Sequence, residues 1–135
     1  MKDVELLCIP RIGPTGNCLD QLLETTLASG YLRLRLNIKG RRSYGPKNKL
    51  LTHVPTGLGI DIFTADTRNW GMALLVRTGS ADFNRKVMSR FLSRRMRGHA
   101  YGGVSLASGA EVDCPDEETV FQLLGWPWRA PEERG

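Results

Sequence analysis

The alternation of apolar and polar positions predicts a strand-rich first half of the chain. Leucines at helical spacing between Leu19 and Leu27, with Gly30 behind them, interrupt the strands with one helix. Tyr31 to Leu36 alternates leucine with arginine, as expected of a strand with one basic, solvated face. Four short apolar segments predict strands, namely residues 4–9, 31–36, 49–54 and 58–64.

Helical periods dominate the second half. A short apolar helix is predicted over residues 70–76, and a longer one begins near Phe83. Glycines between Gly98 and Gly109 indicate turns or a small β ribbon, and Pro115 precedes a last helix. The pattern changes near residues 66–69. We therefore predict an α+β chain of two small lobes, residues 1–67 and residues 68–135.

Positive and negative side chains are segregated along the sequence. No acidic residue lies between Glu24 and Asp61, and acidic residues dominate after Gly98. Seven basic residues fill the first interval: Arg33, Arg35, Lys39, Arg41, Arg42, Lys47 and Lys49. A second basic group is predicted along the polar face of the longer helix. Its members, at helical spacing, are Lys86, Arg90, Arg94 and Arg97. Such a surface is typical of a protein that binds the nucleic-acid phosphate backbone, with Arg41 and Arg42 as further candidates.

Composition narrows the class of protein. The chain has 135 residues, 41% of them hydrophobic, and a formal net charge of +5, which suits one compact globular protein. The longest clear apolar run, Met72 to Val76, is far shorter than a bilayer requires. Charges near the N-terminus do not fit a signal peptide, and three cysteines show no metal-ligand spacing. We expect a cytoplasmic protein with reduced thiols.

Three carboxylates occupy strand positions. Asp3 and Glu5 are two residues apart, so their side chains project from the same face of a strand. Asp61 lies between Ile60 and Ile62, where an unpartnered carboxylate is costly to bury. Carboxylates brought together on neighbouring strands form the oxygen-only site that Mg²⁺ or Mn²⁺ prefers. The alternative for Asp3 and Glu5 is an exposed strand end.

Several motifs, in register over most of the chain, resemble the DNA polymerase beta superfamily (polymerase family X). They are Asp3-Val4-Glu5, Ile60-Asp61-Ile62-Phe63, Thr78-Gly79-Ser80 with the helix start Ala81-Asp82-Phe83-Asn84-Arg85, Leu124-Gly125-Trp126-Pro127 and Pro131-Glu132-Glu133-Arg134. The resemblance implies a nucleotidyltransferase palm with a mixed or antiparallel sheet, followed by a small helical thumb.

The resemblance also implies a set of functional residues. Asp3, Glu5 and Asp61 would bind two Mg²⁺ (or Mn²⁺) ions, with Asp61 accepting the proton of the primer 3′-hydroxyl. Gly79 and Ser80 would form the turn beside the sugar of the incoming nucleoside triphosphate. Asn84 would contact the base edge, and Arg85 would lie over the templating side. The implied partners are nucleic acid, DNA rather than RNA, and a nucleoside triphosphate.

The sequence departs from the family pattern in several places, among them the acidic site itself. Glu5 stands where the best-known members have Asp, and Gly59 stands where an Arg often precedes the third carboxylate. The family also has a strand with a Gly-Ser turn before the acidic pair, whereas only Met1 and Lys2 precede Asp3 here. Its loss would leave residues 4–9 with an unpaired edge, and two copies could pair there as a homodimer.

Two functions stay open on these grounds. The first is a polymerase beta-type nucleotidyltransferase that extends a nucleic-acid 3′-hydroxyl. The second is a truncated, catalytically weak or inactive relative that still binds nucleic acid. A basic interaction module related only by ancestry is a further alternative.

Overall fold

The chain forms two compact units in the computed structural model, which describes residues 3–135. The first unit ends at Thr64, and the second runs from Ala65 to Gly135. This division falls three residues before the end of the predicted first lobe at residue 67. The mixed sheets and helices confirm the predicted α+β class.

The first unit is built on a four-stranded mixed sheet with the strand order β1-β6-β5-β4. Strand β1 runs parallel to β6, and the other neighbouring strands are antiparallel. Its elements are β1 (Val4–Cys8), the β2–β3 hairpin (Ile12–Gly13 and Gly16–Asn17), helix α1 (Cys18–Ala28), β4 (Leu32–Leu34), β5 (Asn48–His53) and β6 (Leu58–Thr64). The four predicted strands and the helix are all present, and their ends differ from the predicted ones by at most two residues.

Strand periodicity gives this sheet two different faces. Leu23 of α1 packs with Leu51 and Ile62 on one face, and this small core extends to Ile60 and Cys8. Side chains one position away project from the opposite face, so Asp61 points away from the apolar core. The carboxylate is therefore positioned by the alternation Ile60-Asp61-Ile62 that holds β6 against α1.

The second unit combines three helices with a three-stranded antiparallel sheet of order β7-β8-β9. Its elements are α2 (Trp70–Thr78), α3 (Ala81–Ser93), β7 (Met96–Gly98), β8 (Val104–Leu106), β9 (Glu111–Val112), α4 (Glu117–Leu124) and a single 3₁₀ turn at Pro131–Glu133. The glycine-rich segment after Gly98 therefore forms a small sheet, one of the two outcomes expected from the sequence.

A larger apolar core fills this unit. Phe83, Val87 and Phe91 lie at helical spacing along one face of α3, and each is at most 1% exposed. They pack against Phe121 and Leu124 of α4. Residues this well buried each stabilise a fold by roughly 1.5–3 kcal/mol relative to exposure. The apolar face predicted for this helix is therefore its core-facing side.

Specific caps fix the ends of the helices around this core. The Ser80 hydroxyl accepts a hydrogen bond from the Phe83 amide and so caps α3. Asp116 caps α4, and its hydrogen bonds with the hydroxyl and the amide of Thr119 lower the pKa of its carboxyl group.

The three cysteines, Cys8, Cys18 and Cys114, form no disulfide in the structure. Burial raises the pKa of the Cys114 thiol and also that of the Cys8 thiol. Neither is therefore an activated nucleophile. Among residues 3–135, no helix is both long enough and apolar enough to cross a membrane.

Candidate acidic site and nucleic-acid interface

The parallel pairing of β1 with β6 brings two of the three sequence-predicted carboxylates side by side. Glu5 is the register partner of Asp61, so both side chains project from the same face of the sheet. Asp3 lies two residues before Glu5 on that face. Carboxylates on neighbouring strands were predicted from the sequence, and the register of β1 and β6 agrees with that prediction.

A basic residue that the sequence analysis did not place in the site occupies its centre. The Arg35 guanidinium forms an ion pair with Asp61 through Nη2 and lies 3.4 Å from Asp3 Oδ2 through Nη1. The Asp61 side chain is only 16% exposed and that of Arg35 only 25%, so solvent screens their interaction weakly. Arg35 is thus the partner that the half-buried Asp61 requires.

Gly59 makes this arrangement possible. A Cβ atom built on Gly59 would overlap Nη1 of Arg35 and would lie 2.7 Å from Cγ of Asp3. Any larger residue at position 59 would therefore displace the guanidinium or the carboxylate. The glycine that departs from the family pattern leaves the space that Arg35 fills.

The three carboxylates have the right donor atoms for a hard divalent cation, but they do not form a ready site. Within the part of the chain that the structure describes, no three His, Cys, Asp or Glu side chains lie close enough together to hold a metal ion. Two of the three predicted ligands contact the Arg35 guanidinium instead. The residues in this arrangement therefore do not fit a metal ion.

The Thr78-Gly79-Ser80 turn joins α2 to α3 in the second unit. Gly79 has φ 76°, a left-handed value that favours glycine, and the Gly79–Ser80 peptide is cis. Ser80 caps α3, as described above. The turn exists as the sequence indicated, and its nucleotide contacts stay a prediction.

Asn84 and Arg85 follow this turn near the start of helix α3. The Asn84 side-chain amide donates to the Val76 carbonyl at 2.9 Å, whereas its Oδ1 is buried and has no hydrogen-bond partner. Exposed Arg85 forms an ion pair with Asp82. Contact with a base edge would therefore require Asn84 to present its unpartnered oxygen or to exchange its bond with Val76.

The predicted basic stripe on α3 is wrong in its geometry. The helix ends at Ser93 because Arg94 takes the C-cap position and Arg95 adopts a positive φ of 59°. Arg97 consequently lies on β7, where it is exposed between Met96 and Gly98. Lys86, Arg90, Arg94 and Arg97 therefore do not follow one another along a single helical face.

Two of these four basic residues have a structural role. Arg90 Nε donates to the Leu124 carbonyl at 2.8 Å, where α4 ends. A Cβ built on Gly125 would lie 3.4 Å from Arg90 Nη2 and 3.3 Å from Arg94 Nη1. Both guanidinium groups are thus at the negative end of α4, where they satisfy or face its terminal carbonyl groups. Lys86 and Arg97 are exposed and are the better candidates for phosphate contacts.

A shallow groove between the end of α3 and the β7–β8 hairpin brings Arg97, a predicted contact residue, together with two basic groups outside the predicted set, Arg95 and His99. Arg95, Arg97 and His99 line it, together with the exposed apolar side chains of Leu92 and Leu106. The His99 ring is hydrogen bonded to the Ser105 hydroxyl at 2.9 Å. Arg95 stands next to Arg94 in the sequence and could have been predicted from that basic pair. The helical spacing used for the prediction selects Arg94 and leaves Arg95 out.

The basic segment of the first unit is divided between surface and core. Arg41 and Arg42 are exposed in the loop after β4. Lys49 is only 3% exposed, and its ammonium group donates to the Gly45 carbonyl, lies 3.4 Å from Asp20 Oδ1 and faces the Tyr44 ring at 4.6 Å. Lys49 therefore stabilises the packing of the first unit and does not belong to a phosphate-binding surface.

Comparison with known proteins places the second unit. Residues 73–135 match the family model of the DNA polymerase beta thumb. The match covers most of the second unit, which is therefore called the thumb unit below.

The wider resemblance to family X polymerases is confirmed as well. The chain is 34% identical to DNA polymerase lambda of Rattus norvegicus in a segment that covers 56% of this chain. It spans 15% of the length of that curated relative. Together the two matches support a family X polymerase-like chain.

Proposed function

We propose that this chain binds DNA through the thumb unit, with the exposed basic side chains on α3, directly after its end and on β7 contacting the phosphate backbone. The observation that carries the proposal is the concentration of Lys86, Arg94, Arg95 and Arg97 on the surface of a polymerase beta-type thumb. Such contacts bind without reading sequence, and they position the protein on the duplex.

Neutralising Lys86 and Arg97 should weaken binding to duplex DNA and make it less sensitive to salt. Each lost phosphate contact lowers the slope of log K against log salt concentration by about one unit. We expect this slope to be about two units shallower for the variant Lys86→Gln/Arg97→Gln than for the parent. Fluorescence anisotropy between low and moderate salt measures it.

The matched control is Arg68→Gln/Arg129→Gln, which removes the same charge from the same unit. Arg68 already pairs with Asp113 at 2.6 Å, and Arg129 lies over the Trp126 ring. An unchanged slope in the first variant would move the contact surface elsewhere, most directly to Arg41 and Arg42. An equal loss in both variants would show that only net charge matters and would contradict a defined thumb interface.

Nucleotidyl transfer to a 3′-hydroxyl is the second candidate function. The register pairing of Glu5 with Asp61, with Asp3 on the same face, favours it. In this role Asp61, Asp3 and Glu5 would bind Mg²⁺ or Mn²⁺, and Gly79, Ser80, Asn84 and Arg85 would contact the nucleotide. Extension of a labelled primer tests it. Because Arg35 occupies the acidic site, we expect a weak or inactive enzyme, and robust extension by the purified chain would contradict that.

A homodimer is proposed through the edge of the first unit. Among the described residues β1 pairs only with β6, and Leu6 on this strand is 50% exposed. An apolar edge of this kind favours pairing with another strand. We expect sedimentation to show a dimer at micromolar concentration, and Leu6→Lys to shift it to monomer. A parent chain that sediments as a monomer would rule the proposal out.

A further inference from the structure

The acidic site already contains a cation supplied by the chain itself. Arg35 reaches Asp61 from the segment after β4, and its backbone amide donates to the Leu50 carbonyl at 3.1 Å. Leu50 is in turn the register partner of Asp61 on β6. Strand pairing thus fixes the backbone of Arg35 two strands away from β6. It also places the Arg35 side chain on the same face of the sheet as the carboxylates.

The position of this guanidinium depends on the absence of a side chain at Gly59. Gly59 lies two residues before Asp61 on the same face of β6, below both Arg35 and Asp3. The Arg35 guanidinium and the Asp3 carboxylate fill the space that a side chain at position 59 would need, so the position of the guanidinium depends on this glycine.

We infer that Arg35 is the resident cation of the acidic site and that it competes with divalent metal ions for Asp3 and Asp61. A divalent ion that took these carboxylates as ligands would have to break both contacts and would leave a half-buried guanidinium without its partners. The metal affinity of the site is consequently set by Arg35 and Gly59 as well as by the carboxylates. The inference bears on the second candidate function, but it concerns ion binding alone and does not require DNA or nucleotide.

Two different substitutions should release the carboxylates. Arg35→Gln removes the competing charge. Gly59→Ala keeps every charge and displaces the guanidinium by steric overlap. Arg33→Gln is the matched control, because Arg33 is an exposed basic residue of the same strand segment and the change in net charge is identical.

Binding of Mn²⁺ to the purified chain, followed by the loss of the free-ion signal in electron paramagnetic resonance, tests the inference. We expect weak binding by the parent and by Arg33→Gln. Arg35→Gln and Gly59→Ala should each bind Mn²⁺ at least about tenfold more tightly. The interaction energy of two unit charges about 4 Å apart near a protein surface exceeds the free energy that corresponds to a roughly tenfold change in affinity. Adding Asp61→Asn to Arg35→Gln should abolish the gain.

Each of the remaining outcomes would overturn the inference. Parent binding as tight as that of Arg35→Gln would show that the guanidinium does not compete. One further contrary result is that Arg33→Gln binds Mn²⁺ as tightly as Arg35→Gln, and another is that Gly59→Ala binds it as weakly as the parent. Either result would show that the affinity for Mn²⁺ is set by net charge and not by the contacts of Arg35 with Asp3 and Asp61. Circular dichroism checks that each variant is folded, and Gly59→Ala keeps the test valid if Arg35→Gln does not fold. Primer extension is measured separately, so failure of the enzymatic candidate leaves this result standing.

Discussion

Replacing Arg134 with glutamine should lower the free energy of unfolding of the thumb unit by about 3–5 kcal/mol. The Arg134 side chain is 0% exposed and binds Glu117 with both terminal nitrogens, at 2.8 Å and 3.1 Å. Its Nε also donates to the Arg129 carbonyl, and its guanidinium lies 5.1 Å from the centre of the Phe121 ring. The variant would leave the Glu117 carboxylate, only 13% exposed, without a cation.

The three tryptophans, Trp70, Trp126 and Trp128, all lie in the thumb unit, so their fluorescence reports its unfolding. A loss of this size in a unit of about 70 residues corresponds to a melting temperature lower by more than about 10 °C. Arg129→Gln is the control and should change stability by less than about 0.5 kcal/mol. A thumb that tolerates Arg134→Gln equally well would disprove the buried ion pair. The apolar double replacement Glu117→Leu/Arg134→Met should recover part of the loss, because it leaves no unpaired charge.

Gly71→Ala should destabilise the same unit, although alanine is the better helix former. Gly71 is the second residue of α2 and is buried, and its amide donates to the Cys114 carbonyl at 2.9 Å. A Cβ at this position would overlap the carbonyl group of Asp116 and would lie 2.8 Å from its Cα. Backbone atoms cannot rotate away as a side chain can, so α2 and the segment before α4 must separate. Overpacking of this kind costs about 1–3 kcal/mol and sometimes more.

Gly45→Ala provides the comparison in chemical denaturation. Its Cβ would meet only the Asn48 carbonyl oxygen, at the ordinary contact distance of 4.0 Å. We expect a lower denaturation midpoint for Gly71→Ala and little change for Gly45→Ala. Stabilisation by Gly71→Ala, as helix propensity alone predicts, would contradict the close approach described here.

Local sequence patterns predicted most of the fold. The alternation around Asp61 identified β6 and the face on which its carboxylate lies, and Phe83, Val87 and Phe91 identified the buried side of α3. The end of α3 was not predictable by spacing, because Met96 continues the helical period while Arg95 in fact adopts a left-handed conformation. Periodicity describes which face is apolar, and it does not show where the backbone leaves the helix.

The charged residues were harder to assign because their partners are distant in the sequence. Arg35 looked like Arg33, one more basic residue on a solvated strand face, and its bond to Asp61 depends on a pairing 26 residues away. Lys49 counted towards a basic surface, yet Asp20 and Tyr44 hold it in the core of the first unit. The sequence did mark Gly59 as unusual for the family, and the reason became visible only with the sheet register.

The binding surface of the thumb is tested most directly by titrating the ¹⁵N-labelled chain with a short DNA duplex and mapping the changes in amide chemical shifts. We predict that the largest changes occur between Arg85 and His99, in α3 and along β7, and that they fade as salt is raised. Changes confined to residues before Ala65, or no changes at low salt, would contradict DNA binding by the thumb.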